Sequence, residues 1–336
     1  MPNELPRAKL DLDAWALAIL VFPLLVLTAS ELLLGVWGDS GLTVGAEVLL
    51  GAPLVELASR YLVLAAFFFF ITVCVAVTAI FAVDLWARFT RWAQIKTIIA
   101  LLAVIAATLV FSVVEPESMK SFESYQLLGE DLVRQVLAAA KTGACLPDRQ
   151  SCEAGTGFEA LVTLVDLSNY IISLAAASVL TGMILAIGDL PERGADTAST
   201  IRGLSASRRV AQRYLYCAGV LLTAGMIWVQ AWMQWPAQLI ADTVVQDQFN
   251  AMVSSLSLFR GTTYSALILS VYLPVLLCLT LRTEALGKGD GDAEDDSIMA
   301  AVAVTNYTEA LKSFVAIVSP ILASAVGSRW TVFFGG

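Results

Sequence analysis

The chain has 336 residues, of which 58% are hydrophobic and 15% are charged, and its mean hydropathy is +0.77. Soluble domains contain roughly 45–50% apolar and about 25% charged residues, so this composition indicates a membrane protein. The sequence has no histidine, which excludes Ser-His and Cys-His catalysis, histidine-ligated metals and haem, and imidazole pH switches. The net charge of −9 is distributed unevenly along the chain.

Six apolar segments have close to the 20 residues that a helix needs to cross a hydrocarbon core about 30 Å thick. In chain order, we predict membrane spans at residues 14–37, 62–83, 97–114, 167–187, 214–235 and 264–281. The predicted fold class is therefore all-α, a polytopic membrane protein with six transmembrane helices.

The basic residues predict the orientation of these spans, because Lys and Arg concentrate in the cytoplasmic loops of membrane proteins. With both termini inside the cell, 14 of the 20 basic residues fall on the cytoplasmic side and 6 fall outside. The segment 188–213 is the most basic, whereas the segments 38–61 and 236–263 each carry a single arginine. This asymmetry predicts a multi-pass protein of the bacterial inner membrane with both termini in the cytoplasm.

The long segment 115–166 is predicted to form a small external cap. Residues 123–140 have the apolar spacing of a helix. Cys145 and Cys152 follow in a turn-rich stretch with six residues between them. Because this segment would face an oxidising compartment, we expect the two cysteines to form a disulfide.

The C-terminal part divides at a change of composition. The membrane domain covers 1–282, an acidic linker covers 283–297, and an apolar tail covers 298–336. The tail contains an apolar run at 311–327 with helical spacing, which carries Lys312 and Pro320. These two residues argue against a seventh span. We expect a cytoplasmic or interfacial helix that packs between subunits and that Pro320 breaks or bends.

The ionisable residues argue against catalysis and ion-coupled transport. Carboxylates lie near the predicted span ends, at Glu31, Asp84, Glu115, Asp166 and Asp189, and none lies at a predicted midplane. Carriers coupled to protons or sodium usually need a charged group there. We predict no catalytic residues, no metal site and no cofactor, and we expect that the protein is not an enzyme.

Two polar patterns lie within the predicted spans. In the fourth span, polar or small residues recur every four positions from Asn169, which places them on one helix face. Such a stripe either lines a pore or lets helices pack closely through small residues. In the fifth span, Gln230 and Gln234 share a face. The pore-lining candidates are Asn169, Ser173, Thr181, Gln230 and Gln234.

The basic segment 188–213 offers a second candidate site. Its arginines include Arg202, Arg208, Arg209 and Arg213. Guanidinium groups suit phosphate, so the segment could receive a nucleotide or an anionic lipid. The alternative is that these charges only retain the segment in the cytoplasm.

Three functions are compatible with these patterns. The first is an oligomeric ion channel or pore, since pores can be lined by hydroxyls and amides without midplane charge. The second is an uncoupled small-molecule transporter, and the lack of a detectable internal repeat disfavours it. The third is a structural membrane subunit of a larger complex.

The architecture of several spans, an external cap, the basic segment 202–213 and the apolar tail 311–327 resembles the membrane effectors of bacterial anti-phage defence systems, and the Hailong effector most closely. The resemblance implies a homo-oligomeric channel opened by a nucleotide or short oligonucleotide from a partner nucleotidyltransferase. It implies no binding of duplex nucleic acid. Opening would depolarise the membrane and arrest growth.

Overall fold

A computed structural model describes residues 21–37, 53–88, 155–188, 197–287 and 307–327, together with Ile19 and separate helical positions between 91 and 106. These residues are almost entirely helical. The main helices are α1 (Val21–Trp37), α2 (Pro53–Arg88), α3 (Gly155–Gly188), α4 (Thr197–Gln234), α5 (Thr243–Gly287) and α6 (Tyr307–Gly327), and a short 3₁₀ helix, Trp235–Leu239, follows α4.

Among the described residues, four helical segments are long and apolar enough to cross a membrane: Leu57–Ala87, Tyr170–Ile187, Gly203–Leu239 and Thr243–Leu281. Two shorter apolar helices cover Val21–Leu34 and Ala310–Val326. The prediction of an all-α fold with helices suited to crossing a membrane is therefore confirmed, and the number of six spans stays a prediction. The predicted span 97–114 is helical at its described positions, which end at residue 106.

The prediction of a long external loop at 236–263 is wrong. After the 3₁₀ helix the chain turns within a few residues, and α5 then runs for 45 residues as one helix. Asp242 caps its start, since one carboxylate oxygen accepts the N–H groups of Val244 and Val245 at 2.8 and 3.3 Å. Only one side of the first half of α5 is buried. The mean hydropathy of this half is therefore low, which is why the sequence predicted a loop there rather than a helix. Likewise, α4 begins at Thr197, within the predicted loop 188–213.

Helices α2 and α4 pack antiparallel through aromatic contacts. Phe70 stacks on Trp228 with ring centroids 5.6 Å apart, and Phe81 meets Tyr214 edge-on at 6.4 Å. At one end the Arg60 guanidinium lies 5.7 Å from the centre of the Trp235 ring. At the other end Asp84 binds Arg213. The 24 residues from Arg60 to Asp84 span about 36 Å of helix, close to the thickness of a hydrocarbon core with its interfaces.

Helix α6 packs along α4 and α5 of its own chain. A Cβ atom on Gly219 of α4 would lie 2.7 Å from the backbone oxygen of Ala316. A Cβ atom on Gly261 of α5 would lie 2.7 Å from the Ser324 hydroxyl and 2.8 Å from the Pro320 carbonyl oxygen. The two glycines therefore let three helices approach closely, as small residues do inside membranes.

Helix α6 thus has close partners within its own chain, and its cytoplasmic or interfacial placement between subunits stays a prediction. Its partners are Gly219 of α4 and Gly261 of α5, which form one packing surface for α6 because α4 and α5 are adjacent in the fold. Pro320 does not break the helix, which is continuous from Tyr307 to Gly327. Proline supplies no N–H to the carbonyl four residues earlier. The Ser319 hydroxyl donates to that carbonyl, on Ala316, at 2.9 Å.

Several other predictions fall on residues outside the described part of the chain. They concern the cap from 115 to 154 with its Cys145–Cys152 disulfide, and the acidic linker beyond Gly287. The segment 155–166, counted in the cap, belongs to α3.

The close contact at Gly219 predicts a matched pair of results. Gly219→Ala should lower the stability of the protein in detergent by about 1–3 kcal/mol, because the new methyl group meets rigid backbone. In the same helix, Gly225→Ala should have a smaller effect, because its nearest neighbour is the Phe70 ring at 3.3 Å, which can shift. Thermal unfolding of the purified variants measures both. Equal midpoints for the two variants would contradict the close docking of α6.

Candidate functional site

An ion pair joins the cytoplasmic-side ends predicted for α2 and α4. The Arg213 guanidinium donates to both oxygens of Asp84 at 2.8 Å, and the Tyr214 hydroxyl donates to the same carboxylate at 3.1 Å. The Asp84 side chain is 13% exposed and the Arg213 side chain 43%. Arg213 was predicted as a contact for an anionic ligand. The structure gives it a carboxylate of its own chain instead.

A second ion pair joins α1 to α5. Arg260 bonds both carboxylate oxygens of Glu31, one of them through Nη2 at 3.2 Å, and Arg260 is 4% exposed. Its neighbour Gly261 packs on α6, so this pair lies at the level of the helix contacts rather than in an external loop. Arg260, which the sequence placed between the fifth and sixth predicted spans, is a buried and paired residue of α5. A buried charge at such a level is stable only when it is paired.

A groove lies between α2, α4 and α6. Its volume is about 360 Å³, and most of its lining is apolar. Residues from all three helices form it: Leu62, Ala66, Thr223, Ile227, Gln230, Ala231, Gln234, Ser319, Leu322, Ala323 and Val326. The later residues of α6 thus lie beside the later residues of α4, so the two helices run parallel.

Gln230 is the unusual residue of this groove. It is 3% exposed, and neither its amide oxygen nor its amide nitrogen has a hydrogen-bond partner in the described part of the chain. Leaving a buried amide unpaired costs about 1–3 kcal/mol. Gln234, one turn further along α4, lines the same groove and is 9% exposed. The structure therefore brings these two predicted polar residues together, and it adds Ser319, which sequence reasoning did not select.

The polar stripe of α3 lies elsewhere. Ser173 and Thr181 are half-buried, whereas Ala175, Val179 and Met183 are buried in the core. Residues two positions apart point to roughly opposite sides of a helix. Ser173 is therefore turned away from the core of the chain, whereas Thr181 shares its face with the buried Ser178 and Ile184. Asn169 belongs to the same helix, one turn before Ser173.

The remaining candidate arginines lie on the first turns of α4, not in a loop. Arg209 is exposed, and its Nε donates to the carbonyl of Ser205 at 3.3 Å. Arg208 is half-buried, and Arg202 lies on the same helix two turns before Arg209. Arg202, Arg208 and Arg209 therefore stay candidate contacts for an anionic ligand, whereas Arg213 binds Asp84.

Sequence reasoning missed both ion pairs because their members lie far apart in the chain. It had one available signal, which is that Glu31 and Arg260 are isolated charges flanked by apolar residues. Within the described residues, no group of three or more Cys, Asp or Glu side chains could hold a metal ion.

Comparison of the chain with protein-family models, curated proteins and solved structures finds no match, so its function is inferred from its own residues.

The Asp84–Arg213 pair predicts a stability difference between two arginine variants. Arg213→Gln should destabilise the protein by about 1–3 kcal/mol, because Asp84 keeps its charge in a largely buried site without a cation. Arg209→Gln should have little effect on stability, because Arg209 is exposed. Chemical unfolding in detergent micelles compares them, and adding Asp84→Asn to Arg213→Gln should restore part of the loss. If Arg213→Gln and Arg209→Gln had the same free energy of unfolding, the ion pair would have no role in stability.

Proposed function

We propose that the protein forms an oligomeric membrane pore in which α3 of each copy contributes a polar surface. The observation that supports this function is that Ser173 and Thr181 are half-buried and do not belong to the buried core of the chain. In a helix surrounded by lipid, such hydroxyls can bond a carbonyl of their own helix, and their remaining hydrogen-bonding capacity favours water or polar partners from a neighbouring helix. A second copy of the chain supplies both when copies surround an aqueous path.

The length and chemistry of the stripe suit a pore. From Asn169 to Thr181 it covers 12 residues, or about 18 Å, more than half of the hydrocarbon thickness. Its groups are an amide and hydroxyls, which can line a conducting path without fixed charge. The two carboxylates that form ion pairs among the described residues, Glu31 and Asp84, are held by arginines. This pairing supports a passive pore over a carrier that must load and release a cation or a proton.

The proposed placement is the bacterial inner membrane, with the beginning of α4 in the cytoplasm, as the basic-residue asymmetry predicts. Because α6 runs parallel to α4, its end at Gly327 would approach the outer surface. In this placement α6 enters the membrane from the cytoplasmic side, which differs from the predicted cytoplasmic C-terminus.

The basic start of α4 is the proposed place for a signal. Arg202, Arg208 and Arg209 lie on the helix that continues into the membrane, so an anion bound there would act directly on a membrane helix. From the resemblance to defence effectors, the proposed signal is a nucleotide or a short oligonucleotide. Opening would then depolarise the membrane.

Ion flux through liposomes reconstituted with the purified protein tests the pore. Thr181→Leu should reduce flux at least tenfold, because it places an apolar side chain in the conducting path. Thr72→Leu is the matched control, since Thr72 is exposed within α2 and its hydroxyl bonds only the carbonyl of Phe68 in the same helix. The control should conduct like the unmodified protein.

The same assay separates the competing functions. A pore predicts flux that rises in proportion to ion concentration, whereas saturation at low concentration would indicate a transporter. Absence of flux, with short oligonucleotides present or absent, would favour a structural subunit. Equal losses for Thr181→Leu and Thr72→Leu would overturn the assignment of the stripe.

A further inference from the structure

The groove between α2, α4 and α6 opens sideways, toward the bilayer. Three apolar side chains of its rim are exposed: Leu62 by 38%, Leu322 by 52% and Val326 by 58%. Thr223, Gln230 and Ala231 of α4 belong to its floor. A groove of this shape is within direct reach of membrane lipid, and it is a different surface from the α3 stripe.

Its polar groups lie near one interface of the bilayer. Gln230 precedes Trp235 by five residues, or about 7 Å along the helix. Trp235 is buried against Arg60, and Arg60 and Asp84, about 36 Å apart along α2, mark the two ends of the α2–α4 pair. Gln230 therefore lies at about the depth of the ester groups of a phospholipid, and the rest of the groove continues into the hydrocarbon region.

The charged, polar and apolar residues at the groove follow the same order as the phosphate, ester and acyl groups of a phospholipid. Arg60 provides positive charge at the Gln234 end of the groove, since its guanidinium lies 5.7 Å from the ring centre of Trp235, the residue after Gln234. Below it, the Gln230 amide is buried and has no hydrogen-bond partner among the described residues. An ester carbonyl accepts a hydrogen bond from such an amide. Below Gln230 the lining becomes apolar at Ile227, Ala66 and Leu322.

From this arrangement we propose that the groove is a binding site for one phospholipid. The phosphate lies near Arg60, an ester carbonyl accepts a hydrogen bond from Gln230, and one acyl chain fills the apolar part between α2 and α6. The bound lipid joins α6 to α2 and satisfies the amide that has no partner among the described residues. Pockets of 300–1,000 Å³ with a few polar groups in an apolar lining are typical of small-ligand sites, and the groove falls in this range.

Native mass spectrometry of the full chain, extracted in detergent and supplied with palmitoyl-oleoyl phosphatidylglycerol, tests the site. The unmodified protein should retain one lipid per chain. Gln230→Leu should reduce retention at least tenfold, and so should Ala323→Phe, which fills the groove and leaves Gln230 in place. Gln248→Leu makes the same replacement at an exposed position of α5 and should retain lipid normally.

Thermal unfolding with and without the same lipid gives an independent measurement. The lipid should raise the unfolding midpoint of the unmodified protein and of Gln248→Leu, and it should not raise the midpoint of Gln230→Leu or Ala323→Phe. Normal lipid retention by both groove variants would overturn the proposal. Protection by palmitate alone, with none from the phospholipid, would overturn it as well, because the groove would then bind a fatty acid without a phosphate.

Discussion

Charge pairing inside an apolar bundle is the constraint on which the arrangement of the helices depends. Helix α1 shows it most clearly, since Phe22, Leu24 and Leu33 are more than half exposed and only one side of the helix meets the bundle. That side carries Glu31, which is bound to the buried Arg260 of α5. An unpaired charge at this level costs several kcal/mol. Sliding α1 by one turn would separate the pair, so the pair sets its register.

The two ion pairs fix how the helices are positioned along one another, and glycines set the distances between the helices. Tyr214, which bonds Asp84, lies against Gly182 of α3, in space that a side chain at that position would fill. Gly219 and Gly261 give α6 its close contacts with α4 and α5. Helices in a membrane gain little from hydrophobic burial against one another, so close van der Waals contact through small residues carries much of their association. The same contacts leave the groove beside α6, where the Gln230 amide has no hydrogen-bond partner among the described residues.

The sequence predicted the helices well because their length and hydropathy follow directly from the bilayer. It also predicted that Gln230 and Gln234 share a face, since that follows from the period of one helix. It failed where the outcome depends on two helices at once. Asp84 and Arg213 are 129 positions apart, and Glu31 and Arg260 are 229 apart. No local pattern shows that Arg213 meets a carboxylate, or that Ala316 and Ser324 of α6 face the glycines of α4 and α5 while its larger apolar side chains are exposed.

The central claim is that α6 belongs to the membrane bundle instead of lying in the cytoplasm. Nitroxide labels at Phe314 and Leu322, both exposed positions of α6, measure this directly in protein reconstituted from a cysteine-free background. Collision rates with oxygen, which concentrates in lipid, and with a water-soluble nickel complex report the surroundings of each label. The account predicts that oxygen dominates at both positions and that Leu322 is the deeper of the two. Higher accessibility to the nickel complex at both positions would contradict it.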